Sequence, residues 1–228
     1  MTNGYLFNAY LQPLRWTEVD IYLASNPDAE ITPNDVCRFI HSPENEHDIN
    51  SIIGRYCEIN EKDPGIPIAP ADNDILLKLI WPLRYAKGSY IVGNYIGTIA
   101  LCGMVSEMLA ILVFEICGKE VSDEKTQKVI SIDDFERYGQ KTRVSVLLSN
   151  DIITTELKAH YDTIRTIRKK YLHYYSKEYS KIENDAVKAY EASVILIRNL
   201  VCEKIEHDQV IMDEKLIEYL KERGVVKP

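Results

Sequence analysis

From Tyr90 to Cys117 the chain is almost wholly apolar, interrupted by charge only at Glu107 and Glu115. A helix that is hydrophobic on all sides has to be enclosed, either by other helices or by lipid. This run therefore decides what the rest of the chain must do. Gly88 to Ser106 carries no charge and nears the roughly 20 apolar residues that span a bilayer. It also holds Tyr90, Asn94 and four glycines, and Glu107 and Glu115 break its continuation. Two buried helical segments at the centre of a bundle fit this pattern better than a membrane span. Gly93, Gly97 and Gly103 weaken intrinsic helicity but let a neighbouring backbone approach closely.

The flanking sequence supplies helices to enclose that centre. Asp72–Lys87 reads as one helix, with Leu76, Leu77, Ile80 and Leu83 grouped on one side and Pro82 expected to kink or divide it. A helix starts near Ile132 with Asp133 and Asp134 at its favourable end and runs to Leu148, with a break near Gly139. Ser149-Asn150-Asp151 supplies a turn before a long helix from about Ile152 to Ser176. Further helices are expected over Ile182–Glu206 and Val210–Arg223, and Gly118 and Gly224 fit helix ends. No region alternates strictly enough to require a sheet.

Residues 1–70 are different. They are polar and turn-rich, with a possible helix start at Ser42-Pro43-Glu44, and they close on the proline-rich strap Asn60–Pro70. The expected organisation is an irregular, partly helical N-terminal extension or small subdomain over 1–70 and a helical bundle over 71–228.

Charge and cysteine usage narrow the function. The formal charge of -8 argues against a surface coated for non-specific DNA binding. Cys37, Cys57, Cys102, Cys117 and Cys202 are odd in number and match neither a CxxC redox motif nor a zinc site. A reduced, cytoplasmic chain is the expectation. Met1 is followed by no basic region and apolar run, so no secretory signal is expected.

The concentrated chemical cue is Arg168-Lys169-Lys170-Tyr171-Leu172-His173. Arginine can hold a phosphate bidentately and stabilise charge that develops on cleavage, and histidine can transfer a proton near neutral pH. RNA carries its own nucleophile in the 2′-OH, so neither a metal nor a protein nucleophile is required. Arg165, Lys169, Lys170, Lys177 and Lys181 add positive potential, and Lys169, His173 and Lys177 recur every four residues on one face. Tyr171, Tyr174, Tyr175 and Tyr179 could stack on bases or fill a helix interface. On an ideal helix Arg168 and His173 are about 140° apart, and His173 is about 180° from Ile164 of the apolar stripe Leu157, Tyr161, Ile164, Tyr171 and Tyr175. By spacing alone the pair is a weak signal: a solvated basic helix face is the plainer reading, ahead of a phosphate- or RNA-binding groove and of catalysis.

A wider pattern resembles the HEPN superfamily. It comprises Gly139-Gln140-Lys-Thr-Arg143-Val144, Leu147-Leu148, Ile152-Ile153, Leu157, Ile164-Arg165 and Arg168 to His173, followed by Ala186, Ala189 and Ala192. The apolar segment from Gly103 through Glu107 to Phe114 resembles that group's earlier bundle helix, and the likeness covers roughly residues 75–205. It implies an all-α helical bundle, usually dimeric, in which Arg168 and His173 serve metal-independent RNA cleavage and Glu107 partners the arginine. Where the family commonly has a polar residue after the arginine, often asparagine, this chain has Lys169. The expected partners are a second copy of the chain, an RNA substrate and an antitoxin or regulatory protein, with no cofactor. The other reading is a non-catalytic helical module that binds RNA, a nucleotide or a protein, in a defence or toxin–antitoxin setting.

Overall fold

In a computed structural model the described residues are 49–63, 72–117, 129–173, 178–206, 209–212 and 214–225. The chain divides into units 1–52 and 53–228, and the described residues lie almost wholly in the second. Ser42-Pro43-Glu44, residues 64–71, Gly118 and Tyr174–Lys177 lie outside them.

The second unit is a helical bundle. Helix α1 (Ile49–Glu61) leads in, and its Ile53–Glu61 portion packs with the bundle. Arg55 donates from Nε to Ile91 O at 2.8 Å, Tyr90 donates its hydroxyl to Glu58, and Lys87 pairs with Asp63 at 2.8 Å. Asp63 also accepts from the buried Tyr190 hydroxyl at 2.7 Å. Residues 53–63 thus group with 71–228 rather than with the extension expected over 1–70.

Asp72 opens the next element by accepting from the backbone N–H groups of Asp74 and Ile75, which caps α2 (Asn73–Ile75). Leu76–Ile80 then forms a π-helical turn before α3 (Trp81–Ile91). Pro82 has no N–H to offer the preceding turn, and the wider π register takes it in without ending the helix. The expected division therefore falls at the change of register into α3, and the expected stripe holds in part, with Leu83 buried and Leu76 and Ile80 half-buried. The buried face is Ile75, Leu79, Leu83, Ala86 and Tyr90, and Leu77 is left 52% exposed.

Gly93, at φ 79°, turns the chain from α3 into α4 (Tyr95–Cys117), where Asn94 accepts from Gly97 N at 2.9 Å. That left-handed conformation favours glycine, which has no Cβ to clash. Helix α4 is the apolar run, enclosed by α3, α7 (Thr155–Leu172) and α8 (Ile182–Val201). By length and composition it could cross a membrane, and 56% of its most apolar window is buried inside the bundle. Between α4 and α7 lie α5 (Ile132–Arg137), capped by Ser131, and α6 (Gln140–Ser149), separated at Tyr138–Gly139 as expected.

Thr154 caps α7, which buries Tyr161, Ile164, Ile167 and Tyr171 and stops at Leu172, short of the expected Ser176. Helix α8 stops at Val201. Cys202–Glu206 (β1) and Gln209–Met212 (β2) pair antiparallel, with an irregularity between Cys202 and Lys204. This hairpin corrects the helices expected through Glu206 and from Val210. The β-branched Ile205, Val210 and Ile211 favour strand, and short apolar runs do not separate helix from strand by period. Helix α9 (Glu214–Glu222) then returns Leu216 and Leu220 to the core, and Gly224 ends it at φ 71°. Arg223 follows, held by Asp72 at 3.2 Å and Asp74 at 2.7 Å.

Candidate functional site

The site forms where α7 crosses α4. Gly103 and Glu107 lie four residues apart on α4 and share one face. Arg168 of α7 lays its stem on Gly103 and pairs its Nη1 with Glu107 Oε1. A Cβ at position 103 would stand 2.4 Å from Arg168 Cδ and 3.0 Å from its Nε. The missing side chain is thus what lets the stem cross the helix. The two paired side chains are 33% and 29% exposed, so the pair is accessible at one edge.

Ser106 takes a contact from a third helix. Gln140, the first residue of α6, donates from Nε2 to Ser106 O and Oγ, both at 3.1 Å. Its Oε1 is buried with no hydrogen-bond partner among the described residues.

His173 caps the C-terminal end of α7. Its φ of -126° and ψ of -13° leave the helix, its N–H donates to Lys169 O at 3.3 Å, and its side chain is exposed. Five residues beyond Arg168, it stands about 7.5 Å further along the axis. Arg168 and Glu107 are brought into contact, while His173 occupies the open end of the same helix.

The remaining basic residues are mostly engaged. Arg165 donates to Asp162 at 3.0 Å, and Lys158 pairs with the same carboxylate. Lys170 pairs with Asp185 of α8 at 2.8 Å and donates to the Tyr171 hydroxyl at 2.7 Å. Tyr171 in turn donates to Asp185 at 2.7 Å. Lys169 is exposed, and Lys177 lies outside the described residues. Burial alone would raise the Asp185 pKa, but hydrogen bonds from Lys170 and Tyr171 outweigh it and hold the carboxyl below the usual range. Asp162 is likewise held low by Lys158 and Arg165 against the upward push of burial. Of the tyrosines considered for stacking, Tyr171 is core, 4% exposed, and Tyr179 packs tilted against it at 5.6 Å while 52% exposed.

No family model, curated protein or solved structure matches the chain.

The site therefore rests on its own geometry. Among the described residues no group of three or more His, Cys, Asp or Glu side chains could hold a metal ion. Sequence reasoning missed Gly103 as the seat of Arg168, and it missed Asp162 and Asp185 as counter-ions. Asp162 was readable from its i,i+4 and i,i+3 spacing to Lys158 and Arg165. Asp185 was not, because it meets Lys170 only after the chain has reversed into α8.

Proposed function

We propose that this chain is a metal-independent endoribonuclease of HEPN-like type, acting at an Arg168–His173 groove completed by a second copy of the chain. The observation that supports it is the Glu107–Arg168 pair seated on Gly103, which fixes a guanidinium at a solvent-accessible edge. Arg168 binds the scissile phosphate and stabilises charge on its non-bridging oxygens. The RNA 2′-oxygen forms a bond to phosphorus as the bond to the 5′-oxygen breaks. His173 takes the 2′-OH proton or supplies the proton to the departing oxygen. The product is a 2′,3′-cyclic phosphate or its hydrolysed form. Glu107 acts as a positioning residue, and exposed Lys169 offers the RNA backbone a charge.

The activity is read as cytoplasmic and independent of a membrane. An ion pair made by Glu107 from within the apolar helix α4 supports a bundle core rather than a lipid-facing span. An antitoxin or regulatory protein is the class of partner that would restrain it.

A second reading, a non-catalytic RNA-, nucleotide- or protein-binding module, is favoured by a different observation. Arg165 and Lys170 already hold carboxylates, which lowers the charge left for phosphates. Cleavage of RNA in excess EDTA by wild type, R168A and H173A separates the two. The enzyme reading expects losses of about 10²- to 10⁴-fold in H173A, with dimerisation retained. Equal cleavage by H173A and wild type would remove His173 from the mechanism, and binding without turnover in the wild type would favour the second reading.

A further inference from the structure

A cavity of about 290 Å³, which neither Arg168 nor Glu107 lines, lies between the π-helical turn, α4, α6 and α9. Ile75, Leu79, Met108, Ile111 and Leu112 give it an apolar wall. Arg143 of α6 also lines it, although the residue is only 9% exposed. Its Nε donates to Phe135 O at 3.2 Å and its Nη2 to Glu136 O, the last carbonyls of α5. These are neutral acceptors. A guanidinium has five N–H donors, so this leaves donors unused, and among the described residues no carboxylate pairs with it.

The donors left over face the open cavity, where solvent reaches them, and an anion entering the cavity could take their hydrogen bonds and complement the charge. The acidic residues at the rim do not supply that complement. Asp74 is claimed by Arg223 at 2.7 Å and Lys78 at 3.7 Å, and Glu115 faces Arg223 at 3.8 Å. Glu136 contributes its backbone oxygen to Arg143, while the residue is exposed to solvent. The π turn supplies Lys78 and Leu79 to the lining, and such turns occur often at ligand sites.

We propose that this cavity binds a small amphiphilic monocarboxylic acid, its carboxylate on Arg143 and its hydrocarbon body against Leu79, Met108 and Leu112. The carboxylate is the selective element, because an apolar wall alone accepts any chain of suitable size. Octanoate is the probe, with octanol and octylamine as isosteric controls, and the reporter is the Met108 methyl resonance in ¹³C-methionine-labelled full-length protein. Octanoate should shift that resonance saturably, and octanol and octylamine should bind at least about tenfold more weakly. R143M should weaken octanoate binding by a similar factor. Because Arg143 also ties down the end of α5, L79W is the second variant; it fills the cavity and should abolish the shift with the far-UV spectrum unchanged. Equal binding of octanol and octanoate, unaltered binding in folded R143M or L79W, or no saturable shift in the wild type would each overturn the assignment.

Discussion

Replacing Gly103 by alanine tests the seat of Arg168 without altering an ionisable group. Inside a helix, alanine is favoured over glycine by roughly 0.5–1 kcal/mol. Against that stands the new methyl, 2.4 Å from Arg168 Cδ. Carbon atoms normally rest about 3.5–4.0 Å apart, so the stem must withdraw by roughly 1 Å or more. Withdrawal pulls the guanidinium from Glu107. With both side chains about a third exposed, solvent screening limits that loss to about 1 kcal/mol or less. The two terms nearly cancel, so G103A alone should change stability by less than about 1 kcal/mol. With Arg168 already replaced by alanine the clash is gone, and G103A should stabilise by the full helix term of about 0.5–1 kcal/mol. Urea unfolding of wild type, both single variants and the double variant reads this coupling directly. Cleavage is the second readout, because about 1 Å of misplacement can cost about 10²-fold in rate. If G103A stabilises equally in both backgrounds, Arg168 does not rest on Gly103 and the construction of the site is wrong. If G103A cleaves RNA at the wild-type rate while the coupling is found, the Glu107-held arginine is not the one that acts.

Three other outcomes follow from buried or paired groups. Tyr161 is fully buried, and its hydroxyl has no partner among the described residues, so Y161F should be neutral or stabilising by about 1 kcal/mol in urea unfolding; a clear loss would reveal an acceptor for that hydroxyl. Burial pushes the Cys102 thiol up to about 12, whereas Cys57 is exposed; iodoacetamide at pH 8 should label Cys57 in the native protein and spare Cys102, as peptide mass mapping would show. Early labelling of Cys102 would contradict its enclosure. Asp162 and Asp185 have folded pKa values below their unfolded ones, so the stability they add is present above about pH 4 and is lost as pH falls through the folded values. D185N should therefore flatten the acid side of the stability profile, and a profile parallel to wild type would show that Asp185 carries no such linkage.

Much of the helical order was legible because its signals are local. The apolar run forced a central helix, Gly139 marked a real break, and Thr154 capped α7 just past the expected Ser149–Asp151 turn. The hairpin at Cys202–Met212 escaped because its pairing partner lies on the other side of a turn. At the site, the resemblance named Arg168, His173 and Glu107, and the first and last of these meet. Arg165 and Lys170 of the basic face hold carboxylates that went unseen, since a sequence shows cations but not the acids that fold against them.

By itself the sequence determined that an enclosed apolar helix must be surrounded by amphipathic ones, because hydrophobic period depends only on residue order. Tertiary structure decided the rest. Asp185 took up Lys170, and Gly103 gave Arg168 its path to Glu107. Each of these depends on a contact between residues distant in the chain, and such contacts exist only once the helices have packed.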